Sequence, residues 1–162
     1  FLVTLPEPAD LAQGAKVPSR RAARHLSDSL IRVVARLDLS GGARTAEDLA
    51  AQLDSARQIE AVPAPEGGPP AAFVSAVEKG LEAAEADARR RLGQLVAEAK
   101  ERAAAERDAS LARLRRWLSQ TKAKAGQREK ILEQEAQFHD AAIAALSGAG
   151  IELDQVALVQ LL

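Results

Sequence analysis

The sequence predicts an α+β fold that is predominantly helical: a long antiparallel helical hairpin, with a small sheet formed by N-terminal strands and the C-terminal strand. Three observations predict it. Apolar residues recur in steps of three and four across about residues 70–147, the mark of a helix with one covered face. Short β-prone segments stand at both ends of the chain. Alanine is abundant while aromatic residues make up only 2%, which suits helices packed through small side chains and not a β-sandwich.

Residues 1–62 are mixed in character. Phe1-Leu2-Val3-Thr4-Leu5 reads as an edge strand, because Pro6 and Pro8 come next and proline cannot donate to a ladder. Gly14 and Pro18 punctuate the next stretch. Residues 30–38 fit two periods. Leu30, Val33, Val34 and Leu37 suit a helix, while Ile31, Val33, Ala35 and Leu37 alternate as in a strand. A turn at Ser40-Gly41-Gly42 comes after them. Thr45 is placed to cap a short helix whose first turn carries Glu47 and Asp48, with Leu49 and Leu53 inward.

Residues 63–69 form a Pro/Gly linker, and Pro70 suits the first turn of a helix beginning there. Residues 70–147 form the helical hairpin. Leu81, Leu92, Ala103 and Leu114 recur every eleven residues, about 3.67 per turn, so this seam runs nearly straight. Val74, Val77, Ala84, Ala88, Leu95, Ala99, Leu111 and Leu118 share its face. Glu85–Arg89, Asp87–Arg91 and Glu98–Arg102 are favourable pairs four apart. Gly80 and Gly93 weaken the helix locally. The chain is expected to reverse at Gly126. A second helix over about 127–147 then buries Ile131, Phe138, Ala142, Ala145 and Leu146. Residues 148–162 leave the helix through Gly148-Ala149-Gly150 and return as a strand to the N-terminal segment, making one domain in all.

The charge balance, 22 basic against 23 acidic residues, argues against a chain-wide polycationic binder. The absence of cysteine excludes disulfides, thiolate metal sites and cysteine nucleophiles. No apolar run approaches the roughly 20 residues that span a bilayer. The chain has no methionine and starts at Phe1, so it is expected to be a piece of a larger protein.

Leu39-Ser40-Gly41-Gly42-Ala43 has the outline of an ABC-type ATPase signature, but G-x-x-x-x-G-K-S/T is absent. A polar hairpin turn explains the segment. His25 with Asp28, and His139 with Asp140, fall in different parts of the chain and fall short of the three or four converging ligands a metal needs. Glu101 with Glu106, and Glu133 with Glu135, are expected to be solvated surface. No catalytic, metal or cofactor residues are assigned. The one candidate contact site is basic. Arg113, Arg115, Arg116, Lys122, Lys124, Arg128 and Lys130 cluster around the hairpin tip, with only Glu129 opposing them. Such a cluster can touch nucleic-acid phosphates, and Trp117 can add a stacking surface. The ordinary alternative is a solvated tip with Trp117 packed at the hairpin end. The residues expected to pack the helices are Leu81, Leu92, Leu95, Leu114, Leu118, Ile131, Phe138 and Leu146.

The segment Ala145-Leu146-Ser147-Gly148-Ala149-Gly150-Ile151-Glu152-Leu153-Asp154-Gln155-Val156-Ala157-Leu158-Val159 resembles the C-terminal end of the RapA (HepA) family. These are bacterial RNA-polymerase-associated, SNF-type helicase-like ATPases. Ala97-Glu98-Ala99-Lys100-Glu101-Arg102 and Ser110-Leu111-Ala112-Arg113-Leu114 resemble the family's long helix. The segment His25–Asp38 resembles a family strand more loosely, without the family's prolines, and tilts residues 30–38 toward strand. The tip departs from the family pattern, which is acidic there.

The resemblance implies a non-catalytic C-terminal accessory module of a cytoplasmic bacterial ATPase. Such a module would dock on the motor domains, on RNA polymerase, or on DNA or RNA during transcription recycling. ATP and magnesium would belong to the motor, not to this chain. The alternative is a stand-alone coiled-coil adaptor or stalk, associating through the Leu81–Leu114 seam.

Overall fold

The computed structural model describes residues 1–4, 16–26, 30–38, 42–45, 49 and 67–157. In chain order the elements are β1 (Leu2–Thr4), α1 (Lys16–Leu26), β2 (Ala35–Asp38), β3 (Gly42–Thr45), α2 (Ala71–Ser119), α3 (Ala125–Ala145), a 3₁₀ turn (Leu146–Gly148) and β4 (Gly150–Glu152). The fold is α+β and mostly helical. The chain divides into two compact units: Phe1 with Ile31–Arg91, and Leu2–Leu30 with Leu92–Leu162.

In the first unit β2 and β3 pair antiparallel, Asp38 opposite Gly42 and Ala35 opposite Thr45. Residues 30–38 are thus not helical, and regular pairing starts at Ala35. Thr45 ends β3, and residues 46–48, where the expected helix would start, lie outside the described residues. Leu49 is helical and half-buried. Leu53 and residues 5, 39–41 and 61–66 lie outside the described residues. Phe1 and Ile31 exchange main-chain hydrogen bonds in both directions at 2.8 Å.

Gly67 and Gly68 adopt φ of 93° and 83°, the left-handed region that favours glycine. The carbonyl of Pro70 then accepts from the N–H groups of Phe73 and Val74, starting α2 at the expected place. Gly80 has a packing role: the Leu37 side chain occupies the space a Cβ there would need. Asp87 is buried, only 6% exposed, and accepts hydrogen bonds from Arg90 and Arg91. Burial pushes its carboxyl up, but the two guanidiniums outweigh burial and hold it below the usual carboxylate range.

In the second unit β1 pairs antiparallel with β4, joining the N- and C-terminal segments as the sequence predicts. β1 is an edge strand of this two-stranded sheet, as expected, and Leu2 makes one isolated antiparallel bridge to Leu30 on its other side. Residues 92–119 of α2 run antiparallel to α3. Arg107 of α2 holds Asp140 of α3 at 2.8 Å, while Ser110, further along α2, reaches back to Glu135. The helices pack on small residues. Ala99 and Ala103, one turn apart, are buried with Leu146, Ala22 and Leu26, and Val3, Leu95, Val96 and Ile143 pack around them.

Helix α1 is not expected from the sequence pattern. Pro18 falls in its first turn, where the missing N–H removes no intrahelical hydrogen bond. Arg24 and His25 sit in its last turn, the end that favours cations. A polar contact ties α1 to the hairpin. Arg21 donates to Glu106 of α2 at 2.7 Å and lies over the Phe138 ring of α3 at 5.4 Å. His25 lies 3.3 Å from the other Glu106 oxygen.

The expected packing residues divide. Leu118 and Leu146 are buried, and Leu81, Leu92, Leu95, Leu114 and Phe138 are half-buried. Ile131 is a correction: it is 39% exposed. Val74 is exposed as well. The covered face of α3 runs Leu132, Glu135, His139, Ala142 and then Leu146, alternating steps of three and four. Two of those places hold polar residues, which satisfy each other across 3.2 Å between His139 Nε2 and Glu135 Oε1.

Two substitutions probe this packing. Leu146→Ala is expected to cost about 3 kcal/mol in urea unfolding, since Leu146 is 0% exposed at the centre of the core. The hydrogen bond from Arg21, opposed by partial desolvation and helped by the charges of Arg21, His25 and His139, lowers the Glu106 carboxyl below its ordinary 4.5. A lowered carboxyl contributes stability that is full above that ordinary value and is lost as pH falls through the lowered one. Glu106→Gln is therefore expected to be less stable than the parent at pH 6 and to lose less stability as pH falls below 4.5, measured by unfolding at stepped pH.

Candidate nucleic-acid interface

The hairpin tip is built by the end of α2, the connection 120–124 and the start of α3. The chain reverses within residues 120–124, and Gly126 lies inside α3, correcting the expected reversal point. No glycine ends α2. Its last carbonyls are taken by local donors instead: Ser119 Oγ donates to Arg116 O at 2.7 Å, and Thr121 Oγ1 to Leu118 O at 2.8 Å. The N–H of Gln120 donates to Trp117 O. At the other side the Lys124 N–H donates to Gln127 Oε1, and Lys124 O accepts from Gln127 and Arg128.

Arg128 closes the connection. Its Nε donates to Ala123 O at 2.8 Å and its Nη2 to Thr121 O at 2.6 Å. Half-buried and committed to two carbonyls, it is a part of the turn, not a free cation for a partner. The other six expected contact residues, Arg113, Arg115, Arg116, Lys122, Lys124 and Lys130, are all exposed. Among the described residues no carboxylate makes an ion pair with any of them.

Their placement is informative. Arg116 stands in the last turn of α2, where the helix dipole favours cations, and Arg113 and Arg115 precede that turn. Lys124 stands at the N-cap of α3, where the dipole opposes it by roughly 0.3–1 kcal/mol, and Lys122 lies in the connection between the two helices. No acidic residue occupies that first turn. Helix stabilisation therefore accounts for Arg116 and not for Lys124. Trp117 is 60% exposed, so it does not pack at the hairpin end as the solvated-tip alternative requires. At 100° per residue, Arg113, Arg116 and Trp117 share roughly 100° of arc on α2.

The other candidates resolve into structure. Ser110, Glu135 and His139 form a chain of contacts, but both Ser110 and His139 meet the carboxylate. A nucleophile needs its hydroxyl on the imidazole, so this arrangement lacks the order of a triad. His25 pairs with Glu106 and His139 with Glu135, and no group of three metal-ligating residues converges among the described residues. Asp28 lies outside the described residues, and Asp140 is held by Arg107. Glu133 accepts from Gln137. Of the segment 39–43, Gly42 and Ala43 stand in β3, opposite Asp38 and Leu37 of β2. No helix among the described residues is long and apolar enough to cross a membrane.

Arg128→Ala is expected to lower stability by about 1–3 kcal/mol, because two carbonyls of the turn lose a charged donor. Lys130→Ala, on an exposed side chain, is expected to change it by less than about 0.5 kcal/mol. Thermal unfolding of both variants checks the contrast. No family model, curated protein or solved structure matches the chain.

Proposed function

We propose that this chain is a non-catalytic accessory module whose helical hairpin presents a basic tip to the phosphate backbone of nucleic acid. The observation that carries the proposal is the set of six exposed cations without acidic partners among the described residues, one of them, Lys124, held at the N-cap of α3 against its dipole. A net charge of −1 for the whole chain makes the concentration of charge at one end a local feature, not a general excess. The resemblance to the C-terminal module of RapA-type ATPases supports the accessory-module part of this reading, whereas the basic tip departs from that family's acidic one. In that setting the motor domains would carry ATP and magnesium, the module would dock on them or on RNA polymerase, and the tip would reach DNA or RNA. The compartment in that reading is the bacterial cytoplasm.

The adaptor alternative has less support. Ala84, Ala88, Ala99 and Ala103 of the long seam are buried within the chain, leaving little of that face for a partner helix.

Fluorescence anisotropy with labelled single-stranded and duplex oligonucleotides tests the proposal. Binding is expected to weaken with salt, each phosphate contact adding about 0.7–0.9 to the logarithmic slope. The triple variant Lys122→Glu, Lys124→Glu, Lys130→Glu is expected to bind at least about tenfold more weakly at low salt, with an unchanged far-ultraviolet dichroism spectrum. Absence of salt-dependent binding, or indifference to the charge reversal, contradicts it.

A further inference from the structure

Resting on the reading of the tip as a nucleic-acid contact, we infer that its substrate is a single strand, held by a base stacked on Trp117 while the neighbouring cations hold phosphates. Trp117 is the chain's one tryptophan, and 60% of it is open to solvent. An indole left that exposed is an apolar face without a partner in the fold. Its surroundings select the partner by charge. Arg113 lies one turn before it, Arg116 precedes it directly, and Lys122 and Lys124 come after it across the connection. An anionic polymer that also carries flat apolar faces meets both requirements at once. A single strand offers such faces along its length, whereas a duplex hides its bases in the stack and offers phosphates alone. Arg113 and Arg116 can serve either strand form; Trp117 separates them.

The chain reports on itself. With one tryptophan and no tyrosine, its intrinsic fluorescence comes from Trp117. The full chain is titrated with a thymidine 12-mer, a uridine 12-mer, a duplex of equal length and polyglutamate, following both fluorescence and anisotropy. Both single strands are expected to quench Trp117 with a salt-dependent affinity above that of the duplex, and the duplex to bind without quenching. Trp117→Ala is expected to weaken single-strand binding about tenfold or more and leave duplex binding unchanged. Trp117→Phe is expected to keep most of the affinity. Equal binding of duplex and single strand, unaffected by Trp117→Ala, overturns this inference while leaving the basic-tip reading intact. No binding of either overturns both. Quenching by polyglutamate as strong as by the single strands overturns it in favour of an acidic protein partner.

Discussion

The burial of Ala99 and Ala103 of α2 against Leu146 and against Ala22 and Leu26 of α1 is the constraint on which the second unit depends. Ala99 and Ala103 lie one helical turn apart, and Leu146, packed in the same cluster, is 0% exposed. Because Leu146 opens the 3₁₀ turn after α3, its seating also sets where the chain leaves the helix and where β4 begins. The strand β4 then meets β1, and Val3 of β1 returns to the same core. Ala22 and Leu26 of α1 close the remaining side. The small residues of this cluster therefore tie the end of α3, the terminal sheet and the seat of α1 to α2 together.

The polar contacts do a different job. Apolar packing through alanine is weakly directional, and α1 could slide along such a surface. Arg21, set between Glu106 of α2 and the Phe138 ring of α3, pins α1 to both helices at one height. Glu135 and His139 do the same within the hairpin by occupying positions on the covered face and bonding to each other and to Ser110. These contacts specify register more than they add stability.

The sequence shows the long helix, its start at Pro70, the second helix and the meeting of the two termini, because each rests on a pattern repeated over many residues or on a strong punctuator. It hides α1, where eleven residues carry few apolar positions and Pro18 reads as a breaker unless its place in the first turn is known. It also hides the true buried face of α3. Glu135 and His139 look like surface residues, so the hydrophobic pattern shifts toward Ile131, and only their mutual pairing reveals them as covered. The basic tip is visible as a run of charges. Its internal division is not: Arg128 reaches carbonyls five and seven residues back, which depends on the path of the turn. The exposure of Trp117 runs against the usual burial of a large aromatic.

A hairpin anchored at one end by Leu146 and closed at the other by Arg128 places its exposed cations away from the core that stabilises it. Binding there need not disturb the fold. Hydrogen–deuterium exchange of the full chain with and without a saturating single-stranded oligonucleotide tests this most directly. Slowed exchange is predicted to be confined to about residues 113–131, with the amides around Ala99, Ala103 and Leu146 unchanged. Protection centred on α1 or the terminal sheet, or no protection at the tip, would contradict it.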